Sequence, residues 1–288
     1  MAVPLRIARA AGFPRSPVNN QPQLALIIPT LREAAGLPAV LERARYALNA
    51  VPIPWEIVVV DDDSGDGTEE IVRQAERRDP RIRLLVRRRE RGLSGAILHG
   101  WRSSRASLLG AMDADGQHPP ELLPSLIEQI RAGSDLAIAS RYARGAALDG
   151  WSPLRRRISR ASVRVSWPLI AAPIRPRDPL SGFFLVRRSC VEGVAFRTSG
   201  FKLLLEILVR GRVRAVSEVP FAFGARGSGR SKAGVRVAWD YVHLLAGMYA
   251  DRFGFLPESA RRLLRRTDYP LELVAQIIGS PERTSLSG

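Results

Sequence analysis

Short uninterrupted apolar runs alternate along the N-terminal half of this chain with stretches whose apolar residues recur every three to four positions. Leu24-Ala-Leu-Ile-Ile28 and Glu56-Ile-Val-Val-Val60 have the length and the apolar character of strands buried on both faces, and Ile82 to Val86 and Ser107 to Met112 read as a third and a fourth strand. Between them, residues 37–48, 68–77 and 95–102 carry the helical period, so strand and helix follow one another three times before the fourth strand. Such alternation predicts a mostly parallel central sheet with helices on both faces, an α/β class of Rossmann-like type. Ala137-Ile-Ala139 continues the pattern more loosely. From Val235 to Arg252 the residues Val235, Trp239, Val242, Ala246 and Tyr249 return at helical spacing, widened by Ala238, Tyr241, Leu245 and Met248; a core helix and a helix lying on a membrane interface both fit this wide face.

The polar segments fall where such a sheet binds its ligands, just beyond the carboxyl ends of the strands. Pro29-Thr30 ends the first strand, Asp61-Asp-Asp-Ser-Gly-Asp-Gly67 the second, and Asp113-Ala-Asp-Gly-Gln117 the fourth. Residues 1–22, with Pro4, Pro14, Pro17 and Pro22 and no sustained period, read as a flexible N-terminal arm. A catalytic domain is expected over 23–233, followed by an amphipathic, interfacial C-terminal helical extension over 234–288.

Composition narrows the class. A chain of 288 residues with 45% hydrophobic content supports one sizeable core. Its single cysteine, Cys190, excludes an internal disulfide framework, and no apolar run reaches the roughly 18 residues of a spanning helix. No leader sequence is evident. Together these predict a cytoplasmic protein, soluble or peripheral. The excess of 44 basic over 28 acidic residues gives a net charge of +16, which asks either for a polyanionic neighbour or for an arginine-biased genome. Only Lys202 and Lys232 among the basic residues are lysines.

Asp113 and Asp115, one residue apart after an apolar strand, with the Gln117 amide two further on, are hard oxygen ligands suited to Mg²⁺ or Mn²⁺; such an ion neutralises a nucleotide's diphosphate. The adjacent Asp61, Asp62 and Asp63 would repel one another without donors or a cation. A turn with a helix cap explains Asp66 and Gly67 but leaves Asp62 over, and ribose hydroxyls or a base edge are candidate donors for it. His99, His118 and His243 are too scattered for a metal cluster. Trp151 and Trp167, interspersed with Arg155, Arg156, Arg157, Arg160 and Arg164, fit either a core with a solvated face or an anchor at anionic headgroups.

Several segments occur in one order: Pro29-Thr-Leu-Arg-Glu33, Val60-Asp-Asp-Asp-Ser64, Gly92-Leu-Ser-Gly-Ala96, Asp113-Ala-Asp-Gly-Gln-His-Pro-Pro-Glu121, Ser140-Arg-Tyr142, Asp178-Pro-Leu-Ser-Gly-Phe183, Gly200-Phe-Lys202 and Arg226-Gly-Ser-Gly-Arg-Ser-Lys232. Over residues 24–252 the chain thereby resembles the dolichol-phosphate mannosyltransferase branch of the large inverting glycosyltransferase family of A-type fold. The resemblance implies that Pro29, Leu31, Glu33, Val60, Asp62 and Ala114 hold the donor nucleotide with Asp113, Asp115 and Gln117. Asp113, Asp115 and Gln117 would bind the metal, and Arg141, Arg226 and Lys232 the phosphates, with Asp115, Arg141, Arg226 and Lys232 carrying catalysis. Leu31 and Arg32 depart from the family's usual aromatic and asparagine, and Gly116 from its leucine.

The implied reaction moves mannose from GDP-mannose onto a polyprenyl phosphate, with UDP-glucose as an alternative donor. A phosphate acceptor is already anionic, so little general-base help is required, and no His-Asp pair is anticipated. The implied partners are a nucleotide-sugar donor, a polyprenyl phosphate acceptor and an anionic membrane surface on its cytoplasmic face; a separate small membrane protein is compatible with the chain as given. A basic nucleic-acid-binding protein is the competing class, but the arginines form no recognised motif and the acidic strand ends oppose it, so no nucleic acid is expected.

Overall fold

A computed structural model describes residues 21–89, 91–148, 152–196, 202–223 and 235–253. Seven strands form one sheet in the order β3-β2-β1-β4-β7-β5-β8: β1 (Leu24–Thr30), β2 (Trp55–Asp61), β3 (Ile82–Val86), β4 (Leu108–Ala111), β5 (Leu136–Ser140), β7 (Phe184–Arg187) and β8 (Val216–Pro220). A short separate parallel pair joins β6 (Ala147–Leu148) to β9 (Ala222–Phe223). The helices are α1 (Leu37–Asn49), α2 (Thr68–Arg78), α3 (Leu93–Arg102), α4 (Leu123–Arg131), α5 (Pro153–Ser166), α6 (Arg188–Val191), α7 (Leu203–Arg210) and α8 (Val235–Phe253). Elements expected from the period of the sequence lie within a few residues of these bounds. The Pro119-Pro120 pair starts with a single 3-10 turn, Pro120–Leu122, before α4.

Every residue of β1 and β2 is buried, and their alternation sorts the core into two layers. Ala25, Ile27, Val58 and Val60 point to the side covered by α3, α5, α7 and α8. Leu24, Leu26, Ile28, Ile57 and Val59 point to the side covered by α1, α2 and α4. This is the two-sided cover that a parallel sheet needs, because neither face can stay in water.

β7 is the exception to parallel order, running antiparallel to both β4 and β5. Its reversal puts the segment before it, Asp178 to Phe183, at the edge where β4 and β5 end. The sequence pattern gave no sign of this reversal, since direction is set by pairing partners rather than by local period.

In α8, Leu244, Leu245 and Met248 are buried in the core layer that also holds α3 and α7. Tyr241 donates its hydroxyl to the Ser162 carbonyl at 2.7 Å and Tyr249 to the Val165 carbonyl at 2.7 Å, fastening α8 to α5. Core packing therefore holds Leu244, Leu245 and Met248, while Val242, Ala246 and Phe253 stay exposed. Among the described residues no helix is long and apolar enough to cross a membrane.

Candidate active site

The carboxyl edge of the sheet gathers five charged side chains from four separate segments. Asp113 and Asp115 follow β4, Arg141 follows β5, Asp178 precedes β7, and Lys202 caps the N-terminus of α7. Asp113 keeps about a third of its carboxyl surface open (32%). Burial pushes its carboxyl above the ordinary carboxylate range; His118 opposes the rise, Asp115 adds to it, and Lys202 and Arg141 pull it down. Gly182 packs so tightly on this carboxylate that a Cβ there would overlap Oδ2 and sit 2.8 Å from Cγ. The Asp115 carboxylate accepts the Gln117 backbone N–H at 3.1 Å, which curls the loop around it.

Arg141 is gripped by Asp178. Its Nε and NH2 donate to the two carboxylate oxygens at 2.8 and 2.7 Å, and its backbone N–H donates at 2.9 Å. Asp178 is fully buried, and the Glu218 carboxylate anchors its loop by accepting the backbone N–H groups of Arg177 and Asp178 at 2.9 and 3.0 Å. Bidentate pairing of this kind fixes the plane of the guanidinium as well as its position. Burial tends to lower the Arg141 pKa, but Asp178 outweighs it and the net shift is upward. Lys202 donates to the Leu180 carbonyl at 3.4 Å, and burial, reinforced by Arg141, pushes its ammonium down to about 8 against the pull of Asp113 and Asp178.

The acidic turn after β2 is satisfied from within the protein. Asp61 accepts the Thr30 hydroxyl at 2.8 Å and both the backbone N–H and hydroxyl of Ser64 at 2.9 and 2.5 Å. Asp62 takes a buried bidentate grip from Arg87 at 2.7 and 2.9 Å and accepts the Gly92 N–H at 2.8 Å. Asp66 accepts from Thr68 and from the Ala34 N–H, tying the β2 turn to the loop after β1. The repulsion anticipated among the carboxylates is thus relieved by Arg87, Thr30 and Ser64, which answers the question Asp62 posed without a ligand. Arg32 and Asp63 both hold left-handed backbone, at φ 60° and 55°, and Arg32 N–H donates to the Ser64 hydroxyl at 2.9 Å. Pro29 and Val60 sit opposite each other at the ends of β1 and β2, with Leu31 and Glu33 just beyond.

One expectation needs correction. A His-Asp neighbour does exist: His118 Nδ1 lies 3.6 Å from Asp113 Oδ2. The distance exceeds a hydrogen bond, and burial, with Phe183 and Phe221 against the ring, pushes the His118 pKa down while Asp113 and Asp115 oppose the fall. Its sequence signal was its place five residues after Asp113. Lys202 and Asp178 stood in recognised segments but received no role; that Asp178 holds Arg141 depends on a tertiary contact 37 residues apart. Arg226 and Lys232 lie outside the described residues, as do Trp151, residues 1–20 of the arm assigned to 1–22, and residues 234 and 254–288 of the extension assigned to 234–288.

Among the described residues no three His, Cys, Asp or Glu side chains gather to cage a metal. Two carboxylates and an amide still fit Mg²⁺ or Mn²⁺ well, because these ions are commonly held by one or two carboxylates while substrate phosphates and water complete the shell. Asp113, Asp115 and Gln117 would hold it.

Beside this edge stands α5. Leu154, Ile158 and Val165 are 66%, 59% and 49% exposed and, with Ala161, line one stripe of the helix. Arg155, Arg156, Arg157, Arg160 and Arg164 are exposed around it, while Val163 and Ser166 on the far side are buried. Trp167 is partly buried and donates to the Pro176 carbonyl at 3.1 Å.

An open α/β sheet with charged groups converging at its carboxyl edge has the form of a ligand-binding site of this fold class. Residues 25–208 match glycosyl transferase family 2, and the chain belongs to that family. It is 42% identical over 222 residues to a dolichol-phosphate mannosyltransferase of Pyrococcus furiosus, covering 76% of this chain and 62% of that protein, so the chain spans less than two thirds of that relative. It is 35% identical to a dolichol-phosphate mannosyltransferase of Mycosarcoma maydis, over 83% of each. A polyprenol monophosphomannose synthase of Mycolicibacterium smegmatis is 34% identical over 81% of this chain and 89% of its own. Among solved structures, mannosyl-3-phosphoglycerate synthase from Rubrobacter xylanophilus superposes with TM-score 0.63 at 17% identity, covering 82% of this chain and 77% of that one. Glucosyl-3-phosphoglycerate synthase from Mycobacterium tuberculosis, in complex with Mn²⁺, UDP and glucosyl-3-phosphoglycerate, superposes with TM-score 0.59 at 16% identity, covering 82% of each. These structures share the fold.

Proposed function

We propose that this glycosyltransferase moves mannose from GDP-mannose onto a polyprenyl phosphate at the cytoplasmic face of an anionic membrane, inverting the anomeric centre to give a β-linked product. The observation that carries the reading is the convergence of Asp113, Asp115, Arg141 and Lys202 on one sheet edge, in a chain whose relatives are named for mannose transfer to dolichol phosphate or polyprenol.

The donor's nucleoside lies across the ends of β1 and β2, against Pro29, Leu31, Glu33, Val60 and Asp62, with the Ala114 backbone beside it. Asp62 accepts three hydrogen bonds from the protein and keeps room for one more from the nucleoside. Asp113, Asp115 and Gln117 hold Mg²⁺ or Mn²⁺, whose chemistry is to neutralise the charge that grows on the departing diphosphate. Arg141, held flat by Asp178, is a planar cation whose fork suits a phosphate oxygen, and Lys202 adds a compact positive charge nearby. Arg226 and Lys232 are assigned to the same phosphates. The acceptor phosphate attacks as an anion, so the buried His118 is not required as a base.

The exposed apolar stripe of α5, flanked by Arg155, Arg157 and Arg164, suits a headgroup layer: aliphatic side chains enter the acyl boundary and guanidinium groups pair with lipid phosphates. In this reading the acceptor lipid lies beside Arg141. The test is transfer of radiolabelled mannose from GDP-mannose to a short polyprenyl phosphate with Mn²⁺ or with EDTA. A mannolipid formed by the wild type, lost with EDTA and lost in Asp115→Ala, supports the reading. Product only with UDP-glucose moves the donor, and no product with either donor overturns it.

A further inference from the structure

Tyr142 joins the two halves of this machinery. Its backbone follows Arg141 directly, its N–H and that of Ala143 both donate to the Ser140 hydroxyl at 3.3 and 3.0 Å, and its ring centroid is 5.7 Å from the Arg141 guanidinium carbon. The phenol at the other end of the ring donates to the Ser159 hydroxyl in the middle of α5 at 2.6 Å. One side chain therefore touches both the arginine of the site and the arginine-rimmed helix.

The attachment of α5 is uneven along its length. Its C-terminal half is anchored by buried Val163 and Ser166 and by the hydroxyls of Tyr241 and Tyr249 on the Ser162 and Val165 carbonyls. Residues 153–158, in contrast, are all exposed, and Tyr142 meets the helix next to them, at Ser159. The Tyr142–Ser159 hydrogen bond gives a shift of this half of the helix a route to the Ser140-to-Ala143 turn. That turn is held by the Ser140 hydroxyl, by the Ala143 carbonyl, which accepts the Ala146 N–H at 3.1 Å, and by the Arg141–Asp178 pair.

We propose that Tyr142 is a positioning residue: it links the seating of α5 on an anionic surface to the placement of Arg141, so that sugar transfer runs faster when the helix is docked. The proposal rests on the membrane reading of α5 given above and adds to it a route by which docking reaches the phosphate site. Coupling through one hydrogen bond is modest, about fivefold for roughly 1 kcal/mol.

The test uses the full chain as wild type, Tyr142→Phe, Ser159→Ala and the double variant. Phenylalanine keeps the ring over Arg141 and removes only the hydroxyl. Initial rates are compared for a polyprenyl phosphate carried in vesicles containing anionic lipid and for a short-chain, micelle-free phosphate acceptor. The expected ratio of vesicle to soluble rate falls about fivefold in each single variant and no further in the double, because both remove the same bond. Hydrogen–deuterium exchange supplies a readout independent of turnover: on adding the vesicles, residues 153–166 gain protection in every form, whereas residues 140–146 gain it in the wild type alone. Equal responses of residues 140–146 in wild type and Tyr142→Phe, or rate losses that add in the double variant, overturn the link while leaving docking intact. A wild type whose α5 gains no protection overturns the membrane reading and the link together.

Discussion

Replacing Gly182 with alanine adds one methyl group, and the site has no room for it. Gly182 has no left-handed backbone angle, so alanine is conformationally acceptable and the effect isolates the side chain. The new Cβ would overlap Asp113 Oδ2 and lie 2.8 and 2.9 Å from Cγ and Oδ1. Since comfortable contacts lie at about 3.5 Å, one partner must withdraw by roughly 1 Å. The glycine's own backbone is poorly able to do so: Ser181 donates its hydroxyl to the Ala139 carbonyl at 2.7 Å, and the next residue, fully buried Phe183, accepts the Ala139 N–H at 3.0 Å. The Asp113 carboxylate moves instead, away from Asp115. Displacing the support of a metal ligand costs about 10- to 100-fold in affinity, or about 1.4 to 2.7 kcal/mol. The assay is Mn²⁺ titration in the presence of GDP, followed calorimetrically, with thermal melting of the apoprotein alongside. Gly100→Ala is the control, because its Cβ would press on Ile27 methyl groups 2.8 and 2.9 Å away in the core; it should cost roughly 1 to 3 kcal/mol of stability and leave Mn²⁺ affinity unchanged. Wild-type Mn²⁺ affinity in Gly182→Ala would refute the packing argument and, with it, the assignment of Asp113 as a ligand.

Two further outcomes follow from the buried charges. Asp178→Asn leaves the Arg141 guanidinium in a site only 14% exposed beside a neutral amide; a loss of about 3 kcal/mol in urea unfolding is expected, within the range for breaking a buried pair, together with slower transfer. Lys202 carries a depressed pKa of about 8, so the unfolded chain binds its proton more tightly than the folded one. Its charged form therefore penalises folding at neutral pH, by about 3 kcal/mol at most, and the penalty fades as pH rises from about 8 towards the ordinary lysine value. Lys202→Met should accordingly unfold at higher urea than the wild type at pH 7, with the advantage gone by pH 10.5, while donor affinity of the wild type falls as pH passes 8.

Much of the architecture was legible before any coordinates. Continuous apolar runs such as Leu24 to Ile28 could only be strands covered on both sides, and the helical period between them fixed an α/β order, because burial on two faces and on one face leave different periodicities. Asp113 and Asp115 stood out as candidate metal ligands for a similar local reason: their spacing and their place after a strand are both properties of a few consecutive residues. The wide face of α8 was visible too, but whether it met core or membrane was not, since both surroundings select the same apolar side chains.

What the tertiary structure alone decided are the pairings across distance. The reversal of β7 delivers Asp178 to Arg141 and Gly182 to Asp113; Arg87, 25 residues from Asp62, neutralises the carboxylate that the sequence left without an internal partner. Tyr142 reaches Ser159 in the same way. A sequence records which groups carry charge or hydroxyls and how the backbone around them repeats, whereas the partner of a buried charge is chosen by which segments the folded sheet brings side by side, and that choice depends on the whole chain at once.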